Sequence, residues 1–167
     1  MKLIFGVDKN FAIGLDGDML FHIREDLARF KKLTTGNIIV MGRKTLISLP
    51  NSKPLPNRTN VVLSSDPSLD DLDLIRVKST DELFETLKKI NPDKAKEEFL
   101  VGGGKLTATL LEHCDCAYIT MMQHAYDIAD TWIPNLDCDK SWELVSESEP
   151  HPFQDTFYTY REYRRIK

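Results

Sequence analysis

Phe99-Leu100-Val101-Gly102-Gly103-Gly104-Lys105-Leu106 is the stretch on which the fold turns. Its first three residues make a short buried strand, the glycines let the backbone turn sharply, and the pattern from Lys105 to Glu112 predicts a helix. A helix that opens where a strand ends presents free N–H groups and the positive end of its dipole, which favour an anion such as a pyrophosphate. The same glycines also suit mere tight packing of strand on helix. The run is not the dinucleotide fingerprint of doubly wound folds, because Thr107 stands at the third glycine position. Nor is it a nucleoside-triphosphate loop, because Leu106 follows Gly104-Lys105.

Working outward, the arrangement recurs. The strand pattern Asn37 to Met41 ends in Gly42-Arg43-Lys44-Thr45, which opens a helical pattern from Arg43 to Leu49. Cations at a helix start oppose the dipole, so a bound anion would explain Arg43 and Lys44, as would a solvated basic turn. Leu63-Ser64-Ser65 follows the strand Asn60 to Leu63, and Lys78 follows the strand Leu74 to Val77. Hydroxyls and cations at neighbouring strand ends suit a dinucleotide with an extra phosphate, NADPH more than NADH.

Leu3 to Val7 supplies a further strand, and helical patterns run over Arg24 to Leu33 and Asp81 to Ile90. Ser79 with Glu82 resembles a capping box at the start of the latter. Strands alternating with helices imply right-handed crossovers and a parallel sheet. After Cys114 the pattern changes to strands without helices, Ala117 to Met121, Trp142 to Ser146 and Thr156 to Tyr163, which predicts an antiparallel closing segment. The fold class is therefore α/β, one domain over residues 1–167, with no repeat or linker and a rigid surface loop from Pro50 to Asn57.

At 167 residues, 41% of them hydrophobic, the chain can bury a core without disulfides or metals. A net charge of −4 leaves no broad basic field for nucleic acid. Cys114, Cys116 and Cys138 are odd in number and lack metal or disulfide spacing, so a reducing compartment is expected. No apolar run approaches the ~20 residues of a membrane span, and Met1 to Val7 is too short for a signal peptide; a cytoplasmic monomer is expected.

Asp26 falls in the first turn of its helix, in line with Phe30 and Leu33. It either satisfies helix N–H groups in solvent or is a carboxylate in an apolar cleft, able to pair with an amidine-like ligand edge. Arg58 offers a planar fork to a substrate carboxylate, or is simply solvated. His113, Cys114 and Cys116 lack a second cluster that would close a metal site, so no metal is assigned.

Ile13-Gly14, Asp18-Met19-Leu20-Phe21, Glu25-Asp26-Leu27 with Phe30, Met41 to Thr45, Pro54 to Arg58, Leu63 to Ser65 and Val101 to Gly104 together resemble the bacterial dihydrofolate reductases. Order and spacing match from about Leu3 to Tyr163. The resemblance implies an eight-stranded, mostly parallel sheet with flanking helices, an antiparallel C-terminal strand and a cis peptide between Gly102 and Gly103. It implies hydride transfer from NADPH to dihydrofolate, with antifolate inhibitors as further ligands. By position, Asp26 would bind the pterin with support from Thr120. Ile4, Gly6 and Val101 would form the floor, Leu27, Phe30, Leu49 and Leu55 the walls, and Arg58 the clamp for the glutamate tail. Arg43, Lys44, Ser65 and Lys78 would meet the 2′-phosphate. Gly42, Thr45, Leu63, Ser64, Gly103, Gly104, Lys105 and Leu106 would line the remainder of the cofactor site. Ile13 to Met19, including Gly14 and Asp18, would form a mobile loop over the nicotinamide, with Asp130 and Thr131 against it.

Three residues depart from the commonest pattern of that family. Leu20 and Phe21 stand where a Pro-Trp pair is usual, so Phe21, at a catalytic position, has no N–H to hold a water. Thr107 replaces a tyrosine. Rival readings are a reductase of the same fold acting on a pyrimidine or another pterin, and a silent folate- or nucleotide-binding protein. Dihydrofolate against a tail-less dihydropterin separates the first, and NADPH consumption the second.

Overall fold

A computed structural model describes all residues, Met1–Lys167. Its strands and helices in chain order are β1 (Lys2–Val7), β2 (Ala12–Leu15), β3 (Asp18–Met19), α1 (Arg24–Thr34), β4 (Ile38–Gly42), α2 (Arg43–Ser48), β5 (Thr59–Leu63) and β6 (Ile75–Val77). There follow α3 (Thr80–Ile90), β7 (Glu98–Gly102), α4 (Gly104–Leu110), β8 (Cys116–Met122), β9 (Thr131–Trp132), β10 (Trp142–Glu147), β11 (His151–Phe153) and β12 (Thr156–Arg165).

Eight strands lie in the order β10-β12-β8-β1-β7-β4-β5-β6, and short β11 adds a ninth as a hairpin on β12. From β8 to β6 every pair is parallel, while β12 runs antiparallel to both β8 and β10. This is the mostly parallel sheet with a reversed C-terminal strand that the sequence predicts. The pattern missed only β2, β3, β9 and β11. The first three form a separate sheet, β3-β2-β9, of which β2 and β3 fall on the stretch Ile13 to Met19 expected as a loop. Two- to four-residue strands carry too little periodicity to read.

Alternation along the strands divides the core. Leu3, Phe5 and Val7 of β1, Ile38 and Val40 of β4 and Val61 of β5 face α3 and α4, joining Leu83, Leu87, Leu106 and Leu110 in a cluster of 21 buried residues. Ile4, Ile39, Met41, Val62 and Phe99 point the other way, where Phe30 and Leu33 of α1 and Leu46 of α2 cover them. Both faces are thus dry, as parallel sheets require, and each fully buried Leu or Val contributes about 1.5–3 kcal/mol.

Helix ends follow local chemistry. α1 carries Glu25 and Asp26 in its first turn and Lys31 and Lys32 in its last, all favourable to its dipole, and the chain leaves it through Gly36 at φ 79°. At α3, Ser79 Oγ accepts from Glu82 N at 3.1 Å, and Glu82 Oε2 accepts from the N–H of Lys78 at 2.7 Å. No helix is long and apolar enough to cross a membrane.

Candidate active site

Two groups of residues meet along the C-terminal ends of the parallel strands. The first is built on β1 and β8, which pair with Gly6 opposite Thr120. The Thr120 hydroxyl donates to Asp26 Oδ1 at 2.5 Å, joining β8 to the first turn of α1. Asp26 therefore does not cap its own helix; half-buried, its carboxylate turns to the sheet. A Cβ added at Gly6 would lie 3.7 Å from Asp26 Oδ2 and 3.1 Å from Phe21 Cζ, so the glycine lets ring and carboxylate approach the strand. Phe21 is buried and stacks on Tyr126 at 6.1 Å.

Burial pushes the Asp26 carboxyl above the ordinary carboxylate range, while the Thr120 hydroxyl and the charge of Arg29 pull it back. Phe30, Leu49, Leu55 and Val101, named above as floor and walls, pack against the cluster that contains Ile4. Leu27, 45% exposed, is the wall residue without such packing. The loop bearing Leu55 is fixed by Asn60, a buried side chain the sequence did not reveal. It accepts from Leu55 N at 3.0 Å and donates to the carbonyls of Leu55 and Arg58. Arg58 itself has a buried Nε without a partner, and burial lowers its pKa. It lines two surface cavities of about 240 and 270 Å³, one with Asp73 and Leu74 and one with Gly36 and Lys96.

The second group lies where β7, β4, β5 and β6 end side by side. Register sets Gly102 beside Met41, Gly42 beside Leu63 and Leu63 beside Val77, so Ser64, Ser65 and Lys78 follow along one edge. The Gly102–Gly103 peptide is cis, as the resemblance implies. A Cβ on Gly102 would fall 2.5 Å from Thr45 Oγ1, and one on Gly104 would fall 2.4 Å from the Trp132 carbonyl. Only glycines let the starts of α2 and α4 and the edge of β9 come together. Both helices begin at a glycine, Gly42 or Gly103, with no side-chain cap and no acid in the first turn. Space beyond the Gly42 Cα is open. Uncapped N–H groups beside Lys44, Lys78 and Lys105 are a donor set that fits a phosphorylated dinucleotide.

Some expected contacts are differently engaged. Arg43 Nε donates to Asp66 Oδ2 at 3.0 Å, and Ser64 Oγ accepts from Asp66 N at 3.1 Å. Leu106 and Ile13 turn into the main core. The carboxylate of Asp18 faces His22 at 3.3 Å and the N–H of Met19 at 2.7 Å. Thr107 donates back to the Gly103 carbonyl at 2.9 Å. Asp130 Oδ2 accepts from Asp16 N at 2.9 Å and Oδ1 from the Thr131 hydroxyl at 2.8 Å, tying β9 to the β2–β3 turn.

Asp8, at the end of β1, escaped the sequence reading. It is 1% exposed and accepts from the backbone N–H groups of Asn10, Ala12 and Tyr126 at 2.8–3.0 Å. Asp8-Lys9-Asn10 reads as a turn, and nothing local announces a partner at Tyr126.

A family model described as dihydrofolate reductase matches residues 1–165. Dihydrofolate reductase of Bacillus subtilis (strain 168) is 34% identical over 165 residues, covering 96% of this chain and 93% of the relative. That of Staphylococcus aureus (strain MSSA476) is 32% identical over 149 residues, covering 89% and 86%. Among solved structures, dihydrofolate reductase from Enterococcus faecalis, complexed with NADP(H) and RAB-propyl, superimposes with a TM-score of 0.82. It is 29% identical, with 99% of this chain and 96% of that one covered. With the family model matching nearly the whole chain and relatives above 30% identity covered almost end to end, this chain belongs to the dihydrofolate reductase family.

Proposed function

We propose that the protein reduces 7,8-dihydrofolate to 5,6,7,8-tetrahydrofolate, with NADPH as hydride donor and one proton taken from solvent. The observation that carries the reading is Asp26, a half-buried carboxylate with one oxygen fixed by Thr120 and the other facing Gly6.

NADPH supplies a hydride to pterin C6, and the chain's own part is to bind, orient and exclude water. Holding two rings face to face can contribute about 7–11 kcal/mol of barrier lowering. Asp26 pairs with the amino-pyrimidine edge of the pterin, fixes the ring and favours its protonated form electrostatically. Because Asp26 holds that far edge, it does not itself reach N5; a water delivers the proton. Phe21 contributes burial and no hydrogen bond to that water. Ile4, Gly6 and Val101 form the floor, Phe30, Leu27, Leu49 and Leu55 flank the benzoyl group, and the unpartnered Arg58 fork meets the tail carboxylate. Gly42, Thr45, Leu63, Ser64 and Gly103 to Leu106 hold the pyrophosphate side, Leu106 through its backbone. Arg43, Lys44, Ser65 and Lys78 meet the 2′-phosphate, Arg43 on release from Asp66. Gly14, Asp18, Met19 and Thr131 border the nicotinamide. Antifolate inhibitors are expected to occupy the pterin side. The protein is read as a cytoplasmic monomer; sedimentation tests the monomer.

Purified protein mixed with dihydrofolate should deplete NADPH absorbance and leave NADH largely untouched. No turnover with either cofactor overturns the reading. Turnover with NADH alone overturns the 2′-phosphate assignment.

A further inference from the structure

We propose that Arg29 is a positioning residue for Asp26: clamped on Tyr118 and Tyr160, its guanidinium sets a positive charge on the same sheet face that receives the carboxylate. The proposal deepens the reading above and rests on Asp26 meeting the pterin.

Thr120 and Tyr118 are two residues apart on β8 and share its face; Tyr160 of β12 pairs directly with Thr120. That one face receives α1 twice. Thr120 takes Asp26. Three residues on, and hence on the same side of the helix, the Arg29 guanidinium carbon lies 4.3 Å from the Tyr160 ring centroid and 5.7 Å from that of Tyr118. Arg43, Arg76, Arg161 and Arg164 each meet a carboxylate. Arg29, half-buried, makes no ion pair within 4.0 Å and is held by rings alone. Aromatic faces attract a cation without neutralising it, so the whole charge is left to act on Asp26. Burial acts in the opposite direction, and Arg29 limits how far it drives the carboxyl up.

Other groups face this cluster. From β12 come Tyr158 and Tyr160, and from β11 His151, stacked on Tyr158 at 5.2 Å and tilted on Tyr160 at 5.2 Å. Lys2 of β1 stands 5.7 Å from the Tyr118 ring and is paired with Glu97. Glu162, across from Tyr118, is tied to Arg164. Glu25 lies on α1 itself, and His22 just before it is paired with Asp18. Of these, His151 packs on Tyr160, the ring nearest the Arg29 guanidinium, so its substitution serves as the control.

The test is a carbon-13 titration of Asp26 in ligand-free protein, which requires no turnover. Arg29→Met should raise its midpoint by about one pH unit. Arg29→Lys, keeping the charge, should restore at least half of that, and His151→Phe should leave the midpoint in place. An unmoved midpoint in folded Arg29→Met overturns the proposal. So does an equal shift in Arg29→Met and Arg29→Lys, which would report packing rather than charge, or an equal shift in His151→Phe. Should Arg29→Met fail to fold by circular dichroism, Arg29→Gln takes its place with the same expectation. A shifted midpoint alongside normal turnover of Asp26→Asn would leave the coupling standing and remove the functional reading.

Discussion

Asp8 and Asp26 are both carboxylates drawn into the protein near the C-terminal end of β1, and the chain treats them in opposite ways. Asp8 is enclosed, with three backbone N–H groups pointing at its two oxygens. Asp26 receives one hydroxyl and keeps its second oxygen beside a glycine. The first carboxylate is saturated and closes a turn onto Tyr126. The second is left short of partners, and burial without partners is what raises its pKa. An under-satisfied buried charge costs stability, and such groups gather where ligands bind.

The largest expected effect comes from removing the charge at the open site. Asp26→Asn should lower dihydrofolate turnover by about 10²–10⁴ at neutral pH, measured by NADPH consumption; near-parental turnover would reject the role. Its stability should move the other way. An acid whose pKa is raised by folding destabilises the native state once the pH exceeds its unfolded value, and the cost is fully present above the folded value. Asp26→Asn should therefore have the higher Tm at pH 7, with the difference shrinking as the pH falls below the folded pKa, which calorimetry at the two pH values checks. A lower Tm at pH 7 would erase the contrast with Asp8.

At the closed site the result should invert. Asp8→Ala strands three amides, that of Ala12 buried and those of Asn10 and Tyr126 nearer solvent, and at about 1–3 kcal/mol for a buried unsatisfied group the loss by urea denaturation is on the order of 2 kcal/mol. Turnover per folded molecule should hardly change. Asp8→Asn retains one acceptor but sets an NH₂ against an N–H, so it should lie between parent and Ala. A turnover loss as large as that of Asp26→Asn would make Asp8 a second working carboxylate.

Smaller is Thr120→Val, which removes the single hydroxyl donor. Asp26 should titrate higher still, and turnover should fall about tenfold, the order of one charge-assisted hydrogen bond; Thr120→Ser should recover most of it. Smallest is the β9 latch. Its hydrogen bonds hold the Asp130 carboxyl below the usual range, so the latch is present above the unfolded pKa and fails as the pH drops through the folded one. The protection of the Asp16 amide, the slowing of its exchange relative to an unstructured amide at the same pH, should fall across that window.

How much of this was readable follows from where the signals lie. All eight principal strands and four helices announced themselves through short apolar strand runs and helical apolar patterns, the runs being continuous where both faces of the parallel strands are buried. The glycine-opened helix starts were equally visible, being local. Asp26 was placed but ambiguous, since its decisive partner, Thr120, lies on a strand far along the chain and became nameable only through the family resemblance. Asp8, Asn60 and Arg29 were not seen at all. Each acts through neighbours set by sheet register or loop closure, and one-dimensional periodicity holds no trace of who sits opposite whom. The diversion of Arg43 to Asp66 was hidden for the same reason.

β1 is made first during synthesis, yet both strands that flank it, β7 and β8, come from the later half of the chain. A ribosome-bound nascent protein that stops short of Thr120 can pair β4, β5 and β6 but has nothing to hold the first turn of α1 in place. Ability to retain a pterin would then arise late in translation, and ligand capture by stalled chains of increasing length would mark the moment at which the central parallel pairing closes.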